Sequence, residues 1–562
     1  MKVFVPLSPM KFSTKILSQT LIQLCLDKGI DHIVISPGSR NAPLTIGFGE
    51  NPKIKCFSIV DERSAAFFAL GMAQQLKKPV AVVCTSGSAL LNYYPAIAEA
   101  FYSDIPLVVL SADRPSDFID IGDGQTIRQE NVFKNHILYS ANCKEGTEFQ
   151  VFNETEINIA LNTAFELNGP VHINIPFSEP LYKTTDQQLV WPQNVLPRTS
   201  RGTLEDFSPF LEMWNASPRK MILVGTLSPN TVEHRFMEKL AHDKSVLVLT
   251  ETTSNLHHPN FINAIDQLIA PLTDGDFQML QPELLLTFGG MVVSKKIKAF
   301  LRNFSPKAHW HVDSKTAYDT FFALTHHFKL DINDFFIEFL PNTKEKVSEY
   351  QNHWLQIRNQ RLQRHRVYTE QIPYSDFMAY GEVFSQLPEN IQLQLGNSAT
   401  IRYSQLFDIP YSVGVFCNRG TSGIDGSTST AVGAAYISDR PTVFLTGDLS
   451  FFYDSNGLWN NYIPKDFKII VVNNGGGGIF RILPGDKNSE LFSTYFETKH
   501  NLSAKQLSEM YGFHYSEISE AKDLKERIAH FFNQNEGPSL LEIFTPSTVN
   551  DQILLDYFEF VS

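Results

Sequence analysis

Gly447-Asp448-Leu449-Ser450 and Asn473-Asn474-Gly475-Gly476-Gly477-Gly478 place Asp448 and Asn474 26 residues apart. An apolar run leads into each: Thr442-Val443-Phe444-Leu445 into the first, Lys468-Ile469-Ile470-Val471-Val472 into the second. Both runs read as buried strands, and the stretch between them is long enough for one crossover helix. A strand–helix–strand unit brings both strand ends to one edge of a parallel sheet, where ligands of open α/β sheets bind. A carboxylate, a side-chain amide oxygen and glycine carbonyls form a hard-oxygen set suited to Mg²⁺. Glycine also lets a phosphate approach the backbone closely. Alone, Gly-Asp or Asn-Gly-Gly is an ordinary turn. At this spacing, each behind a strand, the pair reads as a site for a magnesium diphosphate. No Gly-Lys-Ser/Thr follows a glycine loop, so a P-loop does not fit.

The same alternation of apolar strand and helix fills the chain. In the first 180 residues, strands are expected at 32–35, 55–60, 80–84, 107–110 and 171–176, with helices at 14–28, 62–76 and 89–101. Uninterrupted apolar strands separated by helices predict a parallel sheet covered on both faces. A polar, proline-containing stretch, 184–206, reads as a linker. A second α/β unit, 207–340, has strands at 221–224, 246–249, 284–288 and 310–312. A charged helical segment, 341–371, leads to a third unit, 372–562, with strands at 391–395, 413–416, 442–445, 468–472 and 539–544. The fold class is therefore α/β, with three successive domains built on mainly parallel sheets.

The length of 562 residues exceeds one core and calls for roughly three or four domains. A net charge of −13 argues against nucleic acid or an anionic membrane as partner. It leaves anionic substrates open, because local arginines override a global balance. The five cysteines (Cys25, Cys56, Cys84, Cys143 and Cys417) show no CxxC spacing, against zinc and against a disulfide framework. No signal-peptide core and no apolar run near 18 residues is present, so a reducing cytoplasm is expected and no integral membrane segment.

GDLS followed after about 25 residues by NN resembles the diphosphate motif of thiamin-diphosphate (ThDP) enzymes. The three-unit order resembles their pyrimidine-binding, central and diphosphate-binding domains. Further motifs narrow the resemblance: Pro37-Gly38-Ser39-Arg40, Asp61-Glu62-Arg63-Ser64-Ala65, Ala112-Asp113-Arg114-Pro115, Ile127-Arg128-Gln129 and Asn418-Arg419-Gly420-Thr421-Ser422-Gly423-Ile424-Asp425-Gly426. Jointly these are similar to the branch that joins 2-oxoglutarate to isochorismate in menaquinone biosynthesis, the SEPHCHC synthases.

That resemblance implies a ThDP-dependent transferase that decarboxylates 2-oxoglutarate and adds the product in a conjugate (1,4) fashion to isochorismate. Mg²⁺, with Mn²⁺ as a substitute, would be held by Asp448, Asn474 and the Gly476 carbonyl. Glu62 stands at a switch from strand to helix, with Asp61 as N-cap and small apolar residues behind it. It is the candidate for the carboxyl that shares a proton with the cofactor's pyrimidine ring. Ser86, Gly87, Ser422, Leu449, Ser450, Ile479 and Phe480 would line the cofactor, and Ile424 would wedge it into a bent conformer. The substrates bring two carboxylates each, and arginine suits carboxylates through bidentate bonds. Ser398 and Arg402 would hold the donor; Arg40, Arg114, Gln125, Lys295 and Arg419 would line the acceptor side, and Ser39 would also bind substrate. Arg40, Gln125, Arg402 and Arg419 join Glu62 as catalytic candidates. The acid and the metal set fall in different domains, which in ThDP enzymes come from different subunits, so the resemblance implies a dimer or dimer of dimers with shared sites.

One position departs from the pattern. Gly124, after Asp123, precedes Gln125 where relatives often carry asparagine, so a polar contact is lost or is supplied by Asp123 or a water. Two alternatives stay open: another ThDP enzyme, such as an acetohydroxyacid synthase or a 2-oxoacid decarboxylase, and a non-catalytic α/β binding protein.

Overall fold

Three six-stranded sheets, parallel throughout, organise the chain. The computed structural model describes residues 10–198, 205–482 and 487–562, with Ile482 through its backbone alone. Residues 199–204 of the expected linker lie outside the described residues.

The first sheet runs, edge to edge, Lys55–Ser58, His32–Ile35, Val80–Cys84, Leu107–Asp113, Val171–Pro176 and Tyr139–Asn142. The second runs Phe261–Ile262, Val246–Leu249, Lys220–Val224, Leu284–Phe288, Ala308–Val312 and Leu324–Phe328. The third runs Gly414–Cys417, Gln392–Leu395, Thr442–Gly447, Lys468–Asn473, Ser539–Phe544 and His514–Ile518. Successive residues of the second sheet serve opposite cores. Met221, Leu223, Leu247 and Leu249 pack on one face, and Ile222, Val224, Val246 and Val248 on the other. This period of two explains why both kinds of position are apolar. Every strand expected from an apolar run is present, with ends shifted by a few residues at most. The edge strands Tyr139–Asn142, Leu324–Phe328 and His514–Ile518 were not expected. Each is half exposed and carries polar residues, so it lacks the continuous apolar signal. A short antiparallel pair, Phe12–Ser13 with Thr184–Thr185, was also missed.

The described residues form two compact units. The first takes the chain up to residue 198 together with 420–439 and 454–464. The second takes 205–419, 440–453 and the described residues from 465 onward. The chain thus leaves the first unit after 439, supplies the strand Thr442–Gly447 to the second, returns for 454–464, and leaves again. One crossover helix was expected between 445 and 468. Instead there is a short helix, Asp448–Tyr453, and a 3₁₀ turn, Ser455–Leu458. Asn456-Gly457 and Pro464 disfavour a continuous helix. The strands are nonetheless parallel neighbours, with Val443 paired to Lys468 and Gly447 to Val472. Among the described residues no helix is long and apolar enough to cross a membrane.

Candidate active site

In the second unit, the strand Thr442–Gly447 delivers Asp448 to the first position of a helix, where its carboxylate is buried. One oxygen accepts from the backbone N–H groups of Gly475 and Gly476, both at 2.9 Å, and the other from Leu449 N–H at 2.7 Å. The two strand ends are therefore stitched together through the aspartate. Asn474 turns its Nδ2 to Asp376 Oδ2 at 2.8 Å. Its Oδ1 accepts no hydrogen bond from the described residues and stays open as a donor to a cation. Gly476 has φ +151°, and a Cβ there would lie 2.6 Å from the Glu497 carbonyl oxygen, so only glycine fits. Its own carbonyl accepts from Gly478 N–H at 3.0 Å and keeps a second lone pair. One carboxylate, one amide oxygen and one carbonyl fit a hard divalent cation that takes its remaining ligands from a diphosphate. Ser450 is buried, Leu449 and Ile479 are half-buried, and the Phe480 ring is partly exposed beside Phe496.

The neighbouring strand end, after Gln392–Leu395, presents Asn397 and Ser398. Ser398 has φ +70°, a costly conformation for a residue with a side chain. Asn397 Oδ1 accepts from Arg419 Nη1 at 2.7 Å, which ties the two loops together. Arg402, on the helix Ala399–Ser404, has a buried Nε with no partner among the described residues. Burial holds its pKa below the usual guanidinium value, Arg419 adds to this, and Asp266 opposes it. Lys295 is exposed at the start of the helix Lys295–Asn303. The turn before it is gripped by Glu251, which accepts from Val293 N–H and Ser294 N–H, both at 2.7 Å. Burial pushes the Glu251 carboxyl up to about 7.

In the first unit, Asp61 caps the helix Glu62–Leu76, accepting from Arg63 N–H at 3.0 Å and Ser64 N–H at 3.3 Å. Glu62 is thereby left at the helix start, half-buried. Burial pushes its carboxyl above the ordinary range, a backbone hydrogen bond opposes this, and Asp61 adds to it. Arg40 is buried: its Nη1 donates to the Phe177 carbonyl at 2.8 Å, Nη2 lies 3.3 Å from Glu179, and Nε has no partner among the described residues. Arg114 donates from Nη2 to the Gly124 carbonyl at 3.1 Å, and its Nη1 lies 3.1 Å from Asp123. The unusual Asp123-Gly124 pair is therefore what holds Arg114. Gly87, with φ +85°, donates to Gln129 Oε1 at 2.9 Å and packs on the Gln125 backbone. Ser86 is buried and Ser39 exposed. Gln125 and Ser422 both have left-handed φ, +55° and +60°. Ile424 is half-buried.

The expected residues thus fall into two groups. Ser39, Arg40, Glu62, Ser86, Gly87, Arg114, Gln125, Ser422 and Ile424 belong to the first unit, and Lys295, Ser398, Arg402, Arg419 and the 448–480 set to the second. Besides Glu251, the buried acids Glu99, Asp454 and Asp376 were not expected from the sequence. Glu99 accepts four hydrogen bonds, from Ser103 Oγ, Gly420 N–H, Thr421 N–H and Thr421 Oγ1, and so anchors the loop that leads to Ile424. Asp454 accepts from Ser429 N–H at 2.7 Å, and Asp376 accepts from Asn474 Nδ2 at 2.8 Å. Burial pushes Asp454 up to about 7 and Asp376 up to about 6. Glu99 alone left a trace, as one acid on the otherwise apolar helix Tyr94–Tyr102.

Comparison with known proteins finds similarity along nearly the whole chain. Residues 16–137 match the thiamine pyrophosphate enzyme N-terminal TPP binding domain, 190–394 the middle domain, and 399–543 the C-terminal TPP binding domain. A protein of Flavobacterium johnsoniae is 56% identical over 97% of this chain and 98% of its own length. One of Christiangramia forsetii is 55% identical over 98% and 100%, and one of Porphyromonas gingivalis 37% identical over 96% of each. All three carry the name 2-succinyl-5-enolpyruvyl-6-hydroxy-3-cyclohexene-1-carboxylate synthase.

Proposed function

Since the chain belongs to the SEPHCHC synthases, a family of ThDP-dependent enzymes, we propose that it decarboxylates 2-oxoglutarate and joins the remaining four-carbon unit to isochorismate by conjugate addition. SEPHCHC and CO₂ are the products, and the step serves menaquinone biosynthesis. The observation that carries this reading is identity above one half, along nearly the whole chain, to proteins of that name.

Within this reading, 1–183 bind the pyrimidine end of the cofactor and 372–562 its diphosphate, with 207–340 between. Asp448, Asn474 and the Gly476 carbonyl hold Mg²⁺, and Mn²⁺ can replace it. When bound, ThDP supplies the thiazolium that takes up the electrons left by the departing CO₂. Glu62 holds a proton against the pyrimidine nitrogen, a task its raised affinity for protons supports. Ile424, stiff at χ1, would pack against the cofactor and hold its bent conformer. Arg402 and Ser398 receive the distal carboxylate of 2-oxoglutarate; the unpartnered Nε of Arg402 supports this assignment. Arg40, Arg114, Gln125, Lys295 and Arg419 receive the carboxylates and hydroxyl of isochorismate. Ser86, Gly87, Ser422, Leu449, Ser450, Ile479 and Phe480 enclose the reacting centre and keep water from it. Glu62 and Asp448 lie in different compact units; membership of the ThDP enzymes is what supports a site shared between subunits of a homodimer or dimer of dimers, and the cytoplasm is the compartment that goes with this reading.

Mass spectrometry of the products tests the reading. With 2-oxoglutarate alone, only slow release of succinic semialdehyde is expected; adding isochorismate should give SEPHCHC. Rapid aldehyde release unaffected by isochorismate would identify a decarboxylase instead.

A further inference from the structure

Asn474 can serve a cation only through its oxygen, yet an asparagine carboxamide has two faces of nearly equal shape. Something must choose between them. Asp376 lies at the start of the helix Asp376–Ser385, 98 residues from Asn474 in the chain, and is buried. Its Oδ2 stands 2.8 Å from Asn474 Nδ2, and its Oδ1 accepts from Thr545 Oγ1 at 2.5 Å. Its backbone N–H donates to Asn550 Oδ1 at 2.8 Å, so the main chain is tied down as well, and each carboxylate oxygen has its own donor. An ionised carboxylate only accepts hydrogen bonds. The Asn474 amide must therefore give Asp376 its nitrogen and turn its oxygen the other way. The opposite orientation would set oxygen against oxygen at hydrogen-bond distance inside the protein, where repulsion is weakly screened.

We infer that Asp376 is a positioning residue for the metal, selecting the carboxamide orientation of Asn474 that offers oxygen to Mg²⁺. This rests on the proposed metal set. It assigns Asp376 no contact with cofactor or substrate. Groups that orient metal ligands in this way typically matter 10–100-fold in metal affinity.

The test is the Mg²⁺ dependence of ThDP binding, read by tryptophan fluorescence of the full-length protein. Asp376→Asn should raise the Mg²⁺ midpoint by about 10–100-fold, with the same end point at saturating Mg²⁺. Thr545→Val keeps the carboxylate but loosens it, and should shift the midpoint in the same direction by less. The double variant Asp376→Asn/Asn474→Asp should recover the lost affinity, because a carboxylate at 474 presents oxygen on both sides and accepts from Asn at 376. An unshifted midpoint in folded Asp376→Asn, or in Thr545→Val should Asp376→Asn not fold, would overturn the inference, as would a double variant no better than the single. Asp448→Asn separates the levels. If it too leaves the midpoint unchanged, the metal set itself is wrong; if it abolishes the response while Asp376→Asn does not, only the role of Asp376 fails.

Discussion

Gly433 crosses the backbone of Phe68 so closely that a Cβ on the glycine would lie 2.0 Å from the Phe68 carbonyl oxygen. The crossing is reciprocal, since a Cβ on Gly71 would lie 2.0 Å from the Thr430 carbonyl oxygen. The helices Glu62–Leu76 and Ser427–Ile437 thus meet backbone to backbone. One begins with Glu62 and the other follows Ile424, so the close crossing joins the two elements that carry these proposed cofactor contacts.

Gly433→Ala should therefore be severe. Ordinary overpacking costs about 1–3 kcal/mol, and here the obstacle is main chain, so at least the top of that range is expected. Thermal unfolding measures it. Gly49→Ala, with nothing within 4 Å of its Cβ, is the control and should be neutral or slightly stabilising.

Glu62→Gln keeps the shape of the side chain and removes the shareable proton. Steady-state turnover should fall by about 10²–10⁴-fold, while ThDP affinity, read by fluorescence titration, stays near that of the wild type. Turnover within a small factor of wild type would remove Glu62 from its role.

Arg402→Ala should raise KM for 2-oxoglutarate, because a charge-assisted hydrogen bond contributes about 1.5–3 kcal/mol. The unpartnered Nε gives the fold little to lose, so the unfolding free energy should stay within about 0.5 kcal/mol. A variant that unfolds early with an unchanged KM would mark Arg402 as structural.

Mixing Glu62→Gln protein with Asp448→Asn protein, after verified subunit exchange, should restore part of the activity. One class of hybrid site then receives both intact residues. Complete absence of recovery would mean that each chain builds its own site.

Asp454 offers a pH signature. Burial raises its pKa from 3.8 to about 7, so between these values the folded protein holds a proton that the unfolded chain has released. Its contribution to stability is present below the lower value and lost as pH rises through about 7. Denaturant midpoints of the wild type should fall across that window more steeply than those of Asp454→Asn. Parallel profiles would refute the assignment.

The strands beneath the sites were legible because burial on both faces writes an unbroken apolar run, as in Val80–Cys84 or Lys468–Asn473. Asp448 and Asn474 were legible because each stands directly behind such a run. The edge strands Tyr139–Asn142 and His514–Ile518 were not, since they keep polar side chains for their open side. The buried acids were hidden for another reason. Glu99 meets Thr421 across 322 residues and Asp376 meets Asn474 across 98, and no local period reports such a pairing. The same holds for Gly71 and Gly433, whose necessity appears only once two distant helices touch.

The interleaved first unit also sets a schedule for synthesis. Its sheet is encoded before residue 180, but the helix that covers Gly71 and the turn that ties down Asp61 come from 420–439 and 454–464. A ribosome adding 5–20 residues per second needs roughly a quarter of a minute to a minute to reach them. Through that interval the nascent chain carries the small-residue face of 62–76 uncovered, so the last step of building the N-terminal core waits on codons far downstream of those for its sheet.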